Sequence, residues 1–290
     1  MGSVASSAPL SALPQAAVAP AGARAAAART PVAWRRWAIQ GASLLACLLA
    51  WHLAATFKVH LGIVTFANVP LPSEALDAGW QLLQSPKLRL HLTSSLWRVF
   101  VGFGLAAVLG VVLGLLIGRL RWARLGFLPP LEVLRPIPAV AWIPLAILMF
   151  PSSEGSMVFI TFIGALFPIL LNTIHGVESV DARLIASARS LGTRGWRLFT
   201  EVIGPGSAPS IVTGLSIGMG TCWFCLVTAE MISGQYGIGY YTWESYTVQL
   251  YANIIVGMLL IGVLGMGSSA LIQRAGQWLM PWYRPQRSAP

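Results

Sequence analysis

Long apolar runs separated by short polar stretches dominate the chain. Six runs reach the length of a membrane-crossing helix, roughly 20 residues. They fall at about 37–57, 95–118, 130–150, 156–176, 210–233 and 252–274. The third contains Pro136, Pro138 and Pro144 and is expected to be kinked, because each proline removes a helix donor. Pro151, Ser152, Ser153, Glu154 and Gly155 alone separate it from the fourth, which predicts a tight helical hairpin. Between the first two, Ser73 to Gln84 reads as a short amphipathic helix on the surface.

Composition turns this pattern into a solvent. Of 290 residues 56% are hydrophobic and 10% charged, and the mean hydropathy is +0.71. A soluble domain carries about 25% charged residues, so an ordinary soluble enzyme is excluded. The fold class is all-α: a polytopic membrane protein with six transmembrane helices. Residues 1–33, rich in Ala, Pro and Ser, are expected to be a disordered N-terminal tail and not a signal peptide. The six-helix domain is expected at 34–280, with a short tail at 281–290.

Nineteen Lys and Arg against nine Asp and Glu give a net charge of +10. No basic face interleaved with aromatics marks a nucleic-acid surface, so the charge is read as orientation. Arg24, Arg29, Arg35, Arg36, Arg119, Arg121, Arg124, Arg135, Arg183, Arg189, Arg194, Arg197, Arg274, Arg284 and Arg287 fall on one side of the spans. Lys58, Lys87, Arg89 and Arg98 fall on the other. The richer side is cytoplasmic by the positive-inside rule, which puts both termini inside.

Polar and small residues within the runs supply the candidate chemistry. Ionisable residues in a span cost about 2.5–3.5 kcal/mol on insertion scales and are functional suspects. Glu230, near the outer end of the fifth span, is the first suspect, and Arg98 lies at similar depth. A structural pair and a substrate-facing carboxylate both remain open. Glu132 and Arg135 are expected to pair on one helix face. The span-three prolines, with Trp142 beside them, mark either a wall of a watery pathway or a packing kink. Gly110, Gly114 and Gly118, like Gly214 and Gly218, repeat every fourth residue, for packing within the bundle or along a dimer seam. Cys222 and Cys225 form a CxxC inside an apolar run and are read as packing residues. His52 and His175 are likewise read as packed. No metal-ligand spacing and no catalytic group are assigned. Without GxxxxGK[ST] the chain has no phosphate-binding loop of its own. Trp243, Glu244 and Tyr246 in the 5–6 turn fit an interfacial aromatic belt or a docking face.

The loop at 178–209 is the least apolar internal segment. Asp181 to Leu191 forms a helix that Gly192 stops, and Thr193 is placed to cap a second, Arg194 to Ile203, ended by Gly204 and Pro205. Here the chain resembles the permease subunits of binding-protein-dependent ABC importers, whose cytoplasmic loop reads EAA-x3-G-x9-I-x-LP. Ala186, Ser187 and Ala188 occupy the EAA places, Gly192 the glycine, Val202 the Ile, and Gly204 and Pro205 the LP. Ser95-Leu-Trp-Arg-Val-Phe-Val-Gly-Phe103, Leu134-Arg-Pro-Ile-Pro-Ala-Val-Ala-Trp-Ile-Pro-Leu145 and Ala229-Glu-Met-Ile-Ser-Gly234 are similar to the nitrate, sulfonate, taurine and bicarbonate branch. The likeness covers roughly residues 90–275.

The resemblance implies a type I importer permease (MetI-like) fold in a bacterial inner membrane. It implies no cofactor on this chain, ATP and Mg being used by two copies of a partner ATPase. The other implied partners are a second permease copy, a periplasmic or surface solute-binding protein and membrane lipid, with a small anion as cargo. An intramembrane enzyme or an ion-coupled secondary transporter is the alternative. Each leaves the ordered 4–5 loop unexplained.

Overall fold

The computed structural model describes residues 31–60, 62–63 and 65–283. The expected tail therefore lies outside the described residues up to position 30, as do 284–290 of the other terminus. The chain divides into two units, one ending at Ala54 and one beginning at Ala55. All but the last two residues of α1 (Pro31–Thr56) belong to the first, and its Trp37–Thr56 stretch is long and apolar enough to cross a membrane.

The second unit carries the remaining helices: α2 (Pro72–Gln84), α3 (Pro86–Arg119), α4 (Arg121–Leu134), α5 (Ile143–Met149), α6 (Ser153–Glu178), α7 (Ala182–Ser190), α8 (Trp196–Leu198), α9 (Gly204–Ser233), α10 (Ile238–Thr247) and α11 (Tyr251–Leu279). No strand forms among the described residues; His60 and Thr65 make an isolated bridge. The expected surface helix is α2, opened by Pro72 in its first turn, with Glu74 accepting from Leu71 N at 2.9 Å. α3 begins nine residues before the expected second span, since Ser85 caps it and Pro86 occupies its first turn.

The third span differs most from expectation. It is a pair of helices, α4 and a second piece at Ala139–Met149, bent by 86°. Pro136 and Pro138 open the break, and Ala139–Trp142 forms a 3-10 turn before α5. The stretch Arg119–Arg124, between the expected second and third spans, lies in helix except for Leu120. Glu132 and Arg135 do not pair among the described residues: α4 ends at Leu134. His52 and His175, expected to be packed, both carry exposed side chains.

α6 is the central element, packed between α3 and α9. The α3 contact is parallel, and its register is set by glycine. Gly102, Gly110, Gly114 and Gly118 each face the residue 59 positions further on, namely Thr161, Ile169, Thr173 and Val177. Across the antiparallel α6–α9 contact, Gly164 faces Cys225, Gly176 faces Ser210, and Gly214 and Gly218 face Asn172 and Ile169. Both glycine repeats therefore pack within the bundle, since small residues let helix backbones approach where lipid gives no hydrophobic drive. Cys222 and Cys225 are buried in the same core, which fits the packing reading. Hydrogen bonds tie α11 to α9, from Trp223 Nε1 to Ser268 Oγ and from Gln273 Nε2 to Ser216 Oγ, both at 2.9 Å.

Candidate functional site: a helical knob and a buried ion cluster at opposite ends of α9

The knob is built by local capping. Asp181 accepts from Arg183 N at 2.8 Å and so starts α7. At the other end Gly192 takes φ +87°. Gly192 N donates to Arg189 O and Thr193 N to Ala188 O, both at 3.0 Å. That pair of bonds is a Schellman stop, which needs the left-handed conformation glycine adopts without cost.

Gly195, not Thr193, opens the second helical piece, at φ +58°. Gly204 and Pro205 do not end it, which corrects the expected second short helix. Phe199–Ile203 forms a π turn closed by Gly204 N on Phe199 O, and the chain runs straight on into α9. Pro205 sits in the first turn of α9, where a missing N–H is tolerated. From Trp196 to Ile232 the helix forms one 37-residue candidate span.

Val177, Leu198 and Ile203 make a small buried core under the knob, with Leu115, Ile185, Ala188, Phe199 and Val202 packed on it. Ala188 and Val202 of the loop motif thus face inward. Ala186, Ser187 and Gly192 are exposed and Pro205 is half-buried. Around the small exposed residues stand large apolar ones: Leu184 is 60% exposed, Leu191 87% and Trp196 75%. Arg124 of α4 meets Glu178 at 2.6 Å beside the knob, an exposed pair.

At the far end of α9 the structure joins Glu230 to Arg98, at 0% and 1% exposure. Arg98 Nη1 donates to Glu230 Oε1 at 2.8 Å and to the Tyr236 carbonyl at 2.6 Å. Its Nε reaches Glu154 Oε2 at 2.9 Å, and Nη2 closes the bidentate pair with the same carboxylate. Glu230 also accepts from Ser95 Oγ at 2.7 Å and from Gly239 N at 2.9 Å. Ser95 Oγ in turn accepts from Ile238 N at 2.9 Å. His91 Nδ1 lies 3.0 Å from Gly237 O and 3.1 Å from Gly237 N. One guanidinium therefore joins α3, the start of α6, the end of α9 and the segment leading into α10.

Ser95, Glu154, His91 and Gly237 were not singled out in the sequence as partners of this pair. The readable signal was depth: Arg98, Glu154 and Glu230 all belong to the same end of three spans. The structure does not bring Pro136, Pro138, Trp142 and Pro144 into the cluster. The three prolines are exposed along the bent pair, and Trp142 packs half-buried on the main core. Its Nε1 is buried without a partner, the one such side-chain atom found among the described residues. Trp243, Glu244 and Tyr246 lie exposed on α10, which is a helix and not a turn. Among the described residues no group of three metal-ligating side chains converges.

Residues 108–285 match the family described as "Binding-protein-dependent transport system inner membrane component". The nitrate import permease of Synechocystis sp. is 35% identical over 209 residues, 69% of this chain and 76% of that protein. A protein of Escherichia coli strain K12 named for aliphatic sulfonate transport is 34% identical over 256 residues, 87% of this chain and 95% of its own length. An ABC transporter permease protein of Methanocaldococcus jannaschii is 43% identical over 173 residues, 59% of this chain and 65% of that protein.

Proposed function

This chain belongs to the inner-membrane components of binding-protein-dependent transport systems, the permease subunits of ABC importers, and we propose that it moves a small oxyanion such as nitrate, bicarbonate or a sulfonate, including taurine. The names of its relatives support that cargo class. In this reading two copies of the chain line one pathway and two ATPase subunits bind below. A solute-binding protein docks above and supplies the selectivity. The basic side, with the knob and both termini, is cytoplasmic; α10 faces outward. ATP and Mg belong to the ATPase.

The observation that carries the reading is the knob. A linker would not need an Asp cap, a Schellman stop and a private core beneath a face of small residues ringed by Leu184, Leu191 and Trp196. Ala186 and Ser187, with Ala188, Gly192, Val202 and Pro205 shaping the support, form the face that enters a groove on the ATPase. α9 begins from this support, so displacement of the knob moves the span directly. The bent α4–α5 pair, with Pro136, Pro138, Trp142 and Pro144, walls the pathway.

Tagged protein purified from its native membrane in mild detergent tests this. A stoichiometric ATP-hydrolysing companion is expected with the wild type and is expected to be lost with Gly192→Val, which cannot hold φ +87° without strain. Absence of any companion, under conditions that keep a known importer intact, overturns the proposal.

A further inference from the structure

We propose that Arg98 and Glu230 are positioning residues that make α10 move with α9, so that a partner docking on α10 is felt at the knob. The inference rests on the importer reading above and assigns its outer cluster a part in signal transmission.

Four observations converge. First, α9 joins the two ends without a break, from the knob's supporting turn at Trp196 to Ile232. Second, the link from α9 to α10 is short and rich in glycine: Gly234, Gln235, Tyr236 and Gly237. The glycines at both ends leave the link's backbone little stiffness of its own, and Gly237 takes φ +137°, which other residues rarely adopt. Third, that link is tied by side chains instead. The Tyr236 carbonyl is held by Arg98, the Ile238 amide by Ser95 and the Gly239 amide by Glu230. A side chain at Gly237 or Gly239 would collide with Glu230 or with the Val227 backbone. Fourth, α10 shows Trp243, Glu244 and Tyr246 on its exposed side. The cluster thus converts a flexible link into a rigid corner between a surface for a partner and the helix that leaves the knob.

A structural pair need only keep the bundle folded. A transmission clamp must also keep the α9–α10 angle fixed while the spans move. Removing one member of a fully buried ion pair orphans the other, so Glu230→Gln or Arg98→Met alone confuses folding with transmission. The double variant Arg98→Met with Glu230→Met removes both charges, restores apolar packing, and still breaks the ties to Tyr236 O and Gly239 N. Glu154, whose side chain is 59% exposed, is then left facing solvent.

The test uses the permease purified with its ATPase and reconstituted in lipid. ATP hydrolysis is measured with and without substrate-loaded binding protein. The double variant is expected to assemble and to keep its unstimulated rate within about twofold, while stimulation by the binding protein falls about tenfold, equivalent to about 1.4 kcal/mol. Assembly with full stimulation would make the pair merely structural and overturn the proposal.

Spin labels at Ile232→Cys and Tyr246→Cys, in a Cys47→Ser background with Arg98 and Glu230 intact, give a second reading that does not depend on the double variant assembling. Their separation is expected to stay constant between the nucleotide-free and ATP-trapped complexes; a change of more than about 5 Å, roughly one helical turn, overturns the proposal. If no ATPase accompanies the chain, the importer reading itself has failed, and that shows before either measurement begins.

Discussion

Placing an alanine at Gly114 tests the packing that holds the bundle together. A Cβ there would lie 2.6 Å from Thr173 Cβ and 3.0 Å from the Leu170 carbonyl. Rotation of Thr173 gives no relief, because its Cβ is fixed to the α6 backbone and its hydroxyl already donates to Ile169 O at 2.7 Å. The helices must therefore separate. Overpacking of this kind costs about 1–3 kcal/mol, of which the better helix propensity of alanine returns up to about 1 kcal/mol.

Gly104 is the internal control, on the same helix with nothing within 4 Å of a Cβ. There alanine is expected to be neutral or to stabilise by about 0.5–1 kcal/mol. Thermal unfolding of purified protein in detergent, followed by fluorescence of its 12 tryptophans, is the assay. Gly114→Ala is expected to melt a few degrees below wild type, at about 2–4 °C per kcal/mol, and Gly104→Ala at or above it. The gap is expected to be independent of protein concentration, because the seam lies within one chain. Equal melting of the two variants, or a Gly114→Ala effect that vanishes on dilution, would mean that the α3–α6 contact at Gly114 does not hold the bundle together.

Three further expectations follow from the same contacts. Gly237→Ala places a methyl group against the Glu230 carboxylate at φ +137°, and is expected to lower the yield of folded protein far more than Gly62→Ala, another positive-φ glycine with open space around it; equal yields would count against the clamp geometry. In a Cys47→Ser background maleimide is expected to leave native protein unlabelled, since Cys222 and Cys225 are buried, and to add two labels per chain in denaturing detergent; labelling before denaturation would contradict the packing. Arg124→Gln breaks an exposed ion pair and is expected to shift stability by no more than about 1 kcal/mol; a loss of several kcal/mol in chemical unfolding would show that the pair is more than a surface contact.

The spans were legible because apolar runs of that length have one use, and the four-residue glycine spacing already pointed to close helix contacts. The break in the third span was readable from Pro136 and Pro138, but its 86° angle was not. That angle depends on how Ile143 and Ala146 pack on the core. Gly204 and Pro205 misled because glycine next to proline reads as a stop, whereas a π turn at Phe199–Ile203 lets the helix pass through them. Arg98 and Glu230 could be matched by depth. Their ties to Ser95 and Glu154 depend on how α3 packs against α9 and α6, and the bonds of the Gly239 amide to Glu230 and of the Ile238 amide to Ser95 on the return of α10 toward α3, none of which a local pattern encodes.

Transport by the reconstituted complex shows whether the chain is an importer permease driven through its knob. Proteoliposomes holding the chain and its ATPase would be sorted by which face of the knob is accessible, and loaded with or without ATP. Uptake of labelled nitrate or taurine would be measured after adding substrate-loaded binding protein. Uptake is expected only when ATP is on the knob side and the binding protein is on the α10 side. Uptake driven by an ion gradient without ATP, or ATP-driven uptake that survives loss of the knob's contact with the ATPase, would contradict it.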